Sequence, residues 1–302
     1  LVRVAKSHIR VGTFQLASLS KKQSDIKELL EYTIDRFYPE LLNEDDKYLK
    51  FFDKITSDQM NLILDWQRVG FVHGVMNTDN MSLSGETIDY GPCAFLDEYN
   101  PNKVFSSIDK NGRYAFNNQP KIALWNLARL AETFLHLVDR KEEIAIKKIE
   151  YILKKYETEY NDMWLEMMKD KIGINDNHKK DNELIKELLD LMHIFKLDYT
   201  KTFIEMENNT LQKFDFMLDW ISKLNQRKEL NKKIKKPKYS NPKIVPRNHI
   251  VEKVLNESTN GNFKNLNKFI SLLKKPYESS IPEEYIAEPT NEEKVYQTFC
   301  GT

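Results

Sequence analysis

The sequence predicts a mainly α-helical protein with one small β-hairpin, on three observations. Apolar residues recur at helical spacing through Ser20–Tyr38 (Ile26, Leu29, Leu30, Ile34, Phe37) and again through Tyr48–Val69 (Phe51, Phe52, Ile55, Leu62, Leu64, Trp66). A third and longer apolar stripe starts at Gln119, with Ile122, Trp125, Leu127, Leu130, Phe134 and Leu137. Between the second and third stripes, the short runs Met81–Ser84 and Glu86–Asp89 flank Ser84-Gly85, a two-residue loop suited to a tight hairpin turn.

Residues 1–18 set Arg3, Lys6, His8 and Arg10 among apolar positions, with Gly12 marking a turn; the plain reading is a charged strand edge. The two helices that follow form a scaffold whose aromatics are core. In the hairpin, with Ser84 and Gly85 as the loop, Asn80 sits directly opposite Asp89, with β-carbons on the order of 5 Å apart. Two oxygen ligands then share a small space, and Asp79 lies on the adjoining loop. An amide and a carboxylate suit Mg²⁺, which fills its shell with water and substrate phosphate. The same residues also serve as ordinary turn formers.

His73, six residues, Asn80, a hairpin, then Asp89-Tyr90-Gly91 form the frame of a protein-kinase catalytic loop followed by its metal-binding loop. The fold expected is therefore protein-kinase-like, chiefly the C-terminal lobe. One departure is large. Where the frame has His-Arg-Asp this chain has His73, Gly74 and Val75, and valine accepts no proton. Asp79 is the nearest replacement base.

After this stretch, residues 92–118 occupy the place of a kinase activation segment, where loops carry substrate and regulation. The helix from Gln119 to about Tyr156 is expected to break near Arg140. Further helices are expected at about 158–171, 181–196, 209–225, 247–257 and 262–274. Arg227–Lys243 is strongly basic, with Lys228, Lys232, Lys233, Lys235, Lys236 and Lys238 against Glu229. Aromatic interleaving there is limited to Tyr239, so a solvated linker is expected rather than a nucleic-acid surface. A tail follows, ending Thr298-Phe-Cys-Gly-Thr302.

The residues of the central stretch carry a specific resemblance. His73-Gly-Val-Met-Asn-Thr-Asp-Asn-Met-Ser82, followed by Thr87-Ile-Asp-Tyr-Gly-Pro92, is similar to the selenoprotein O family, pseudokinases that act as protein adenylyltransferases. The likeness continues at Phe95-Leu-Asp97, Tyr99-Asn-Pro101, Gly112-Arg-Tyr114, Gln119-Pro120 and Trp125-Asn-Leu127. It is visible also at Arg3-Val-Ala5, Ser7-His-Ile-Arg-Val-Gly-Thr-Phe14, Asn241-Pro242 and Arg247-Asn248. Matches are dense to about residue 135 and sparse beyond it.

The resemblance implies a division into 1–18 (end of an N-lobe or hinge), 19–225 (C-lobe, with catalytic and metal loops at 73–92) and 226–302 (linker, helices and tail). Because the chain opens on Leu1, most of an N-lobe is expected upstream. The implied activity is transfer of AMP from ATP to Ser, Thr or Tyr hydroxyls of proteins, with the nucleotide reversed relative to a kinase. Arg3 and Arg10 would contact its phosphates, Asn80 and Asp89 would hold Mg²⁺ or Mn²⁺, and Asp79 would be the base. The resemblance also implies a disulfide between Cys93 and Cys300, tying the tail across the active-site mouth as a redox control; Gly301 departs from the usual Ser. Lys6 and His8 have no such warrant and are read as structural. Asp109, Arg113 and Asn126 stand at matched positions without a chemical role.

Composition bounds the partners. With 46 basic and 46 acidic residues, no global field draws the chain to nucleic acid or anionic membrane. No apolar run of about 20 residues suggests a span, and no signal core opens the chain. Two cysteines point to a reducing compartment, bacterial cytoplasm or mitochondrial matrix, without secretion. The six histidines show no ligand spacing with the cysteines, so zinc is not expected. The expected partners are ATP and hydroxyl-bearing protein substrates, acting on a monomer. An atypical kinase and a non-catalytic interaction module are the alternatives.

Overall fold

The structure, a computed structural model, describes residues 4–230, 241–278 and 280–299. Helices dominate it, with one two-stranded antiparallel sheet among the described residues. The chain divides into two compact units that interleave in sequence: residues up to 65 with 75–91 and 117–162, and residues 66–74 with 92–116 and those from 163 onward.

In the first unit, α1 (Val11–Ser18), α2 (Gln23–Phe37) and α3 (Lys47–Val69, as far as Asp65) are followed by α4 (Gln119–Glu132), α5 (Leu135–Val138) and the front of α6 (Glu142–Ile172). The apolar stripes close on one another. Phe14, Leu30, Ile34, Phe51, Phe52, Ile55, Leu127, Leu130 and Phe134 are fully or nearly fully buried. Phe134 is the hub, with its ring edge-on to Phe14 at 6.5 Å and to Phe52 at 6.1 Å. Aromatic pairs at such spacings contribute about 0.5–1.5 kcal/mol beyond burial.

The second unit holds the sheet. Strand β1 (Phe71–Val72) pairs with β2 (Ala94–Phe95), Phe71 opposite Phe95. Its further helices are α7 (Asp181–Ile194), α8 (Tyr199–Glu207), α9 (Leu218–Glu229), α10 (Asn248–Thr259) and α11 (Lys264–Leu273). Tyr199 is its anchor: the hydroxyl donates to the Gln67 carbonyl (2.8 Å) and the ring stacks on Tyr99. Gly70, at φ +75°, is needed against that ring, because a β-carbon there would lie 2.8 Å from Tyr199 Cδ1. Arg247 is buried and ties three elements together. It forks onto Asp198, the N-cap of α8, at 2.6 and 2.9 Å, and reaches Asp97 at 2.6 Å. A second small core of Ile244, Ile250, Val254, Phe269 and Tyr285 joins α10 to α11.

Most expected helices are present within a few residues, including the break near Arg140. Three differ. Residues 158–171 are not a separate helix but the end of α6, whose Met167, Met168 and Ile172 continue a buried face. The segment 209–225 begins with two 3₁₀ turns before α9, since Asn209 takes φ +54° and stops α8. Residues 11–18 are helical rather than a strand edge.

The expected solvated linker also needs correction where it is described. Arg227 is buried and bonds Asp181 at 2.6 Å and Asp176 at 2.7 Å, while Asn241 is buried against Lys171. Lys232 to Tyr239 lie outside the described residues.

Candidate functional site

The loop 75–91 is shaped chiefly by its own polar residues and by the segment before α1. Asn77 Oδ1 accepts the Asp79 N–H (3.0 Å), capping a 3₁₀ turn over Thr78–Asn80. Asn126, buried in α4, donates to the Met76 carbonyl (3.0 Å), and Gln59, buried in α3, donates to the Ser82 carbonyl (2.7 Å). Asn126 thus has a physical role that its sequence position did not suggest: it holds the loop 75–91 at Met76.

The hairpin register differs from expectation by one residue. Met81 pairs with Thr87, so Asn80 is not directly opposite Asp89. The cause is competition for backbone groups. Val11 N–H donates to the Met81 carbonyl (3.1 Å) and Leu83 N–H donates to the Ile9 carbonyl (2.9 Å), so residues 81–83 pair with 9–11, with Arg10 opposite Ser82. The turn is correspondingly wider, closed by Gly85 N–H on the Ser82 carbonyl (3.4 Å) with Gly85 at φ +67°. The two-stranded sheet forms instead from the residues flanking the loops, β1 and β2.

Around this loop the expected residues fall as follows. Arg10 Nη1 donates to the Asp79 carbonyl (2.9 Å), and its Nε is buried without a hydrogen bond. Asn80 Nδ2 donates to the Val75 carbonyl (2.9 Å), which turns its side-chain oxygen away from that bond. Asp79 is exposed, and Asn80 and Asp89 are half-buried. Asp89 takes φ +60°, a left-handed backbone that aspartate tolerates better than most residues other than glycine and asparagine. Arg10 and Asp89 line one cavity of about 1040 Å³. Its wall is apolar at Val4, Ala5, Leu62 and Ile88, and polar at His8, Glu86 and Thr87, with Tyr90 exposed at its edge. Arg3 lies outside the described residues.

Two features escaped the sequence reading. Gly12 is not a turn; it lies in the first turn of α1, where a β-carbon would fall 2.1 Å from Asp79 Oδ1. His8, read as structural, lies on the cavity wall. Neither had a signal in neighbouring residues: the Gly12 requirement comes from Asp79, and the His8 placing from the fold.

Among the described residues no three His, Cys, Asp or Glu side chains gather as a metal cluster. Val75, in the place of the frame's base, is buried. Cys93 is half-buried beside Pro92. Thr298 is buried there: its hydroxyl bonds the Pro92 carbonyl, its N–H donates to the Phe105 carbonyl (2.8 Å), and its own carbonyl accepts from Ser107 N–H (3.0 Å). Cys300 lies outside the described residues. Asp109 accepts the N–H groups of Arg113 (2.9 Å) and Tyr114 (2.7 Å), shaping the segment 109–114. No helix among the described residues is long and apolar enough to cross a membrane.

Arg10 and Asp89 thus share one cavity, and Asp79 and Asn80 lie on the loop to which the Arg10 guanidinium is bonded. The chain belongs to the family described as protein adenylyltransferase SelO, whose model matches residues 1–274. It is similar to the protein nucleotidyltransferase YdiU of Pelagibacter ubique (strain HTCC1062), at 45% identity over all of this chain and 65% of that protein. It is also similar to the YdiU proteins of Bacillus cereus strains ATCC 10987 / NRS 248 and AH187, each at 43% identity over all of this chain and 64% of theirs. The chain thus spans just under two thirds of the length of these relatives.

Proposed function

We propose that the complete protein is a nucleotidyltransferase that moves AMP from ATP to a Ser, Thr or Tyr hydroxyl of a protein, on a protein-kinase-like fold. Family membership supports the reaction class, and the placing of Arg10 and Asp89 on one cavity is the observation that carries the site. Arg10 would hold phosphate oxygens, its orientation fixed by the bond to the Asp79 carbonyl. Arg3 is proposed for the same task.

Asn80 and Asp89 would hold a divalent ion, Mg²⁺ or Mn²⁺. The donor set fits: the Asn80 amide nitrogen is committed to the Val75 carbonyl, leaving its oxygen as the ligand end, and Asp89 adds a carboxylate. Two protein oxygens suit an ion that completes its shell with water and phosphate. When bound, the ion would offset negative charge on the phosphate oxygens.

In the transfer, the acceptor oxygen forms a bond to the α-phosphorus, the α–β phosphoanhydride bond breaks, and pyrophosphate leaves with that electron pair. The acceptor's proton passes to Asp79, the exposed carboxylate beside the loop, since Val75 takes none. A disulfide between Cys93 and Cys300 is proposed as a redox control. The anchoring of Thr298 on the Pro92 carbonyl brings the chain toward Cys93 and supports that pairing. The protein is read as a monomer of a reducing compartment.

The test is intact mass of a protein substrate mixture after incubation with the complete protein, ATP and Mg²⁺ or Mn²⁺. Added AMP that disappears in Asp89→Ala is the expected result. Added phosphate alone would make the protein a kinase despite Val75, and no modification in either redox state would leave an interaction module.

A further inference from the structure

We propose that His8 is a third phosphate-contacting residue of this cavity, beside Arg10. The inference rests on the nucleotide reading above and adds to it a residue that the loop motifs do not include.

Residues 7–9 form no helix and lead into a bridge between Arg10 and Ser82. The segment ends in Arg10, which is extended at φ −124° and ψ 165°. Its N–H and C=O groups on one edge are used: Ile9 C=O accepts Leu83 N–H at 2.9 Å, and Arg10 pairs with Ser82. Extended backbone sends successive side chains to opposite faces. Ser7 is buried, its carbonyl facing the Ser82 hydroxyl. His8 and Arg10 share the other face, and both line the cavity.

Both ends of this row are pinned. The Arg10 guanidinium is fixed on the Asp79 carbonyl. At the other end the Glu86 carboxylate accepts the Lys6 N–H at 2.8 Å and the Ser84 hydroxyl at 3.0 Å. His8 lies between these two fixed points, so its place on the cavity wall is set by the backbone, and its exposed side chain is accessible to a ligand there.

The order of residues along the wall gives the ligand's direction. Val4 and Ala5 are apolar, His8 is a donor, and Arg10 is a fixed cation with Asp89 on the same cavity. At roughly 3.3 Å per extended residue, His8 and Arg10 are about 7 Å apart along the chain. Two donors at that spacing span neighbouring groups of a polyphosphate, while the apolar residues are left to the nucleoside.

The experiment is calorimetric binding of ATP, inorganic pyrophosphate and AMP to the complete protein, comparing wild type with His8→Ala and His8→Gln. In His8→Ala the Kd for ATP and for pyrophosphate should rise about tenfold, the loss of one charge-assisted hydrogen bond. AMP, lacking the outer phosphates, should bind nearly as before. Glutamine keeps an N–H donor and should recover part of the loss, which a merely structural role would not produce. Equal ATP affinity in wild type and both variants would overturn the role of His8 while leaving the nucleotide site standing. Absence of ATP binding by wild type would overturn both. Equal weakening for AMP and pyrophosphate would assign His8 to the nucleoside end and refute the phosphate contact.

Discussion

Gly12 and Asp79 are in such close approach that a single β-carbon on Gly12 would sit 2.1 Å from the Asp79 carboxylate oxygen. In an ordinary exposed helix, Gly→Ala stabilises by about 0.5–1 kcal/mol. Here Gly12→Ala must displace Asp79, the proposed base. The expected outcome is a protein whose thermal midpoint is nearly unchanged and whose AMP transfer falls by at least about tenfold, since small misplacements of a catalytic group are costly. Circular dichroism and the mass assay on the same preparation check it.

Asp79→Asn keeps the size and the backbone carbonyl that Arg10 uses, and removes only the proton acceptor. Transfer should drop by roughly 10²–10⁴-fold while ATP affinity stays within about twofold. A loss of affinity equal to the loss of rate would instead make Asp79 a binding residue.

Arg247 neutralises Asp198 and Asp97 in the interior, and the guanidinium is held charged by both carboxylates despite burial. Arg247→Met should lower unfolding free energy by about 3–5 kcal/mol, because Asp198 is then a buried charge without its counterion. Asp198→Asn in the same background should recover part of the loss. Urea titrations of the single and double variants read both effects.

Stability should decline as pH falls below about 6.5. Burial pushes His136 and His249 below the ordinary histidine value, and the His136 Nε2 and His249 Nδ1 atoms are buried without hydrogen-bond partners. Between the unfolded and folded values the unfolded chain binds more protons, so stability rises with pH across that window and is lost as pH falls through it. Urea midpoints at pH 7.5 and 5.5 measure the slope, and His136→Gln should flatten it.

Much of the architecture was legible because helical periodicity survives in sequence: α2, α3 and the break near Arg140 follow from where apolar residues recur. The spacing of His73, Asn80 and Asp89 marked the loop 75–91, and Asp89 lines one cavity with Arg10. The hairpin register was not. The Ser84-Gly85 turn chemistry is a local signal, whereas the register is set by Ile9 and Val11, some seventy residues earlier, taking the backbone groups of 81–83. Gly12 was misread for the same reason: its requirement comes from Asp79, distant in sequence, and no neighbouring residue encodes it. His8 shares a face with Arg10 only because Ser7 turns inward, and alternation over four residues is too short to be distinguished from chance.

The clasp of Thr298 on Pro92 joins residues 206 positions apart. During synthesis, residues 92–107 emerge long before their partner exists. A nascent chain therefore carries loop 75–91 and its α1 partner complete while residues 92–107 still await the tail. The bonds from Thr298 to Pro92, Phe105 and Ser107 form only once residue 298 has left the ribosome.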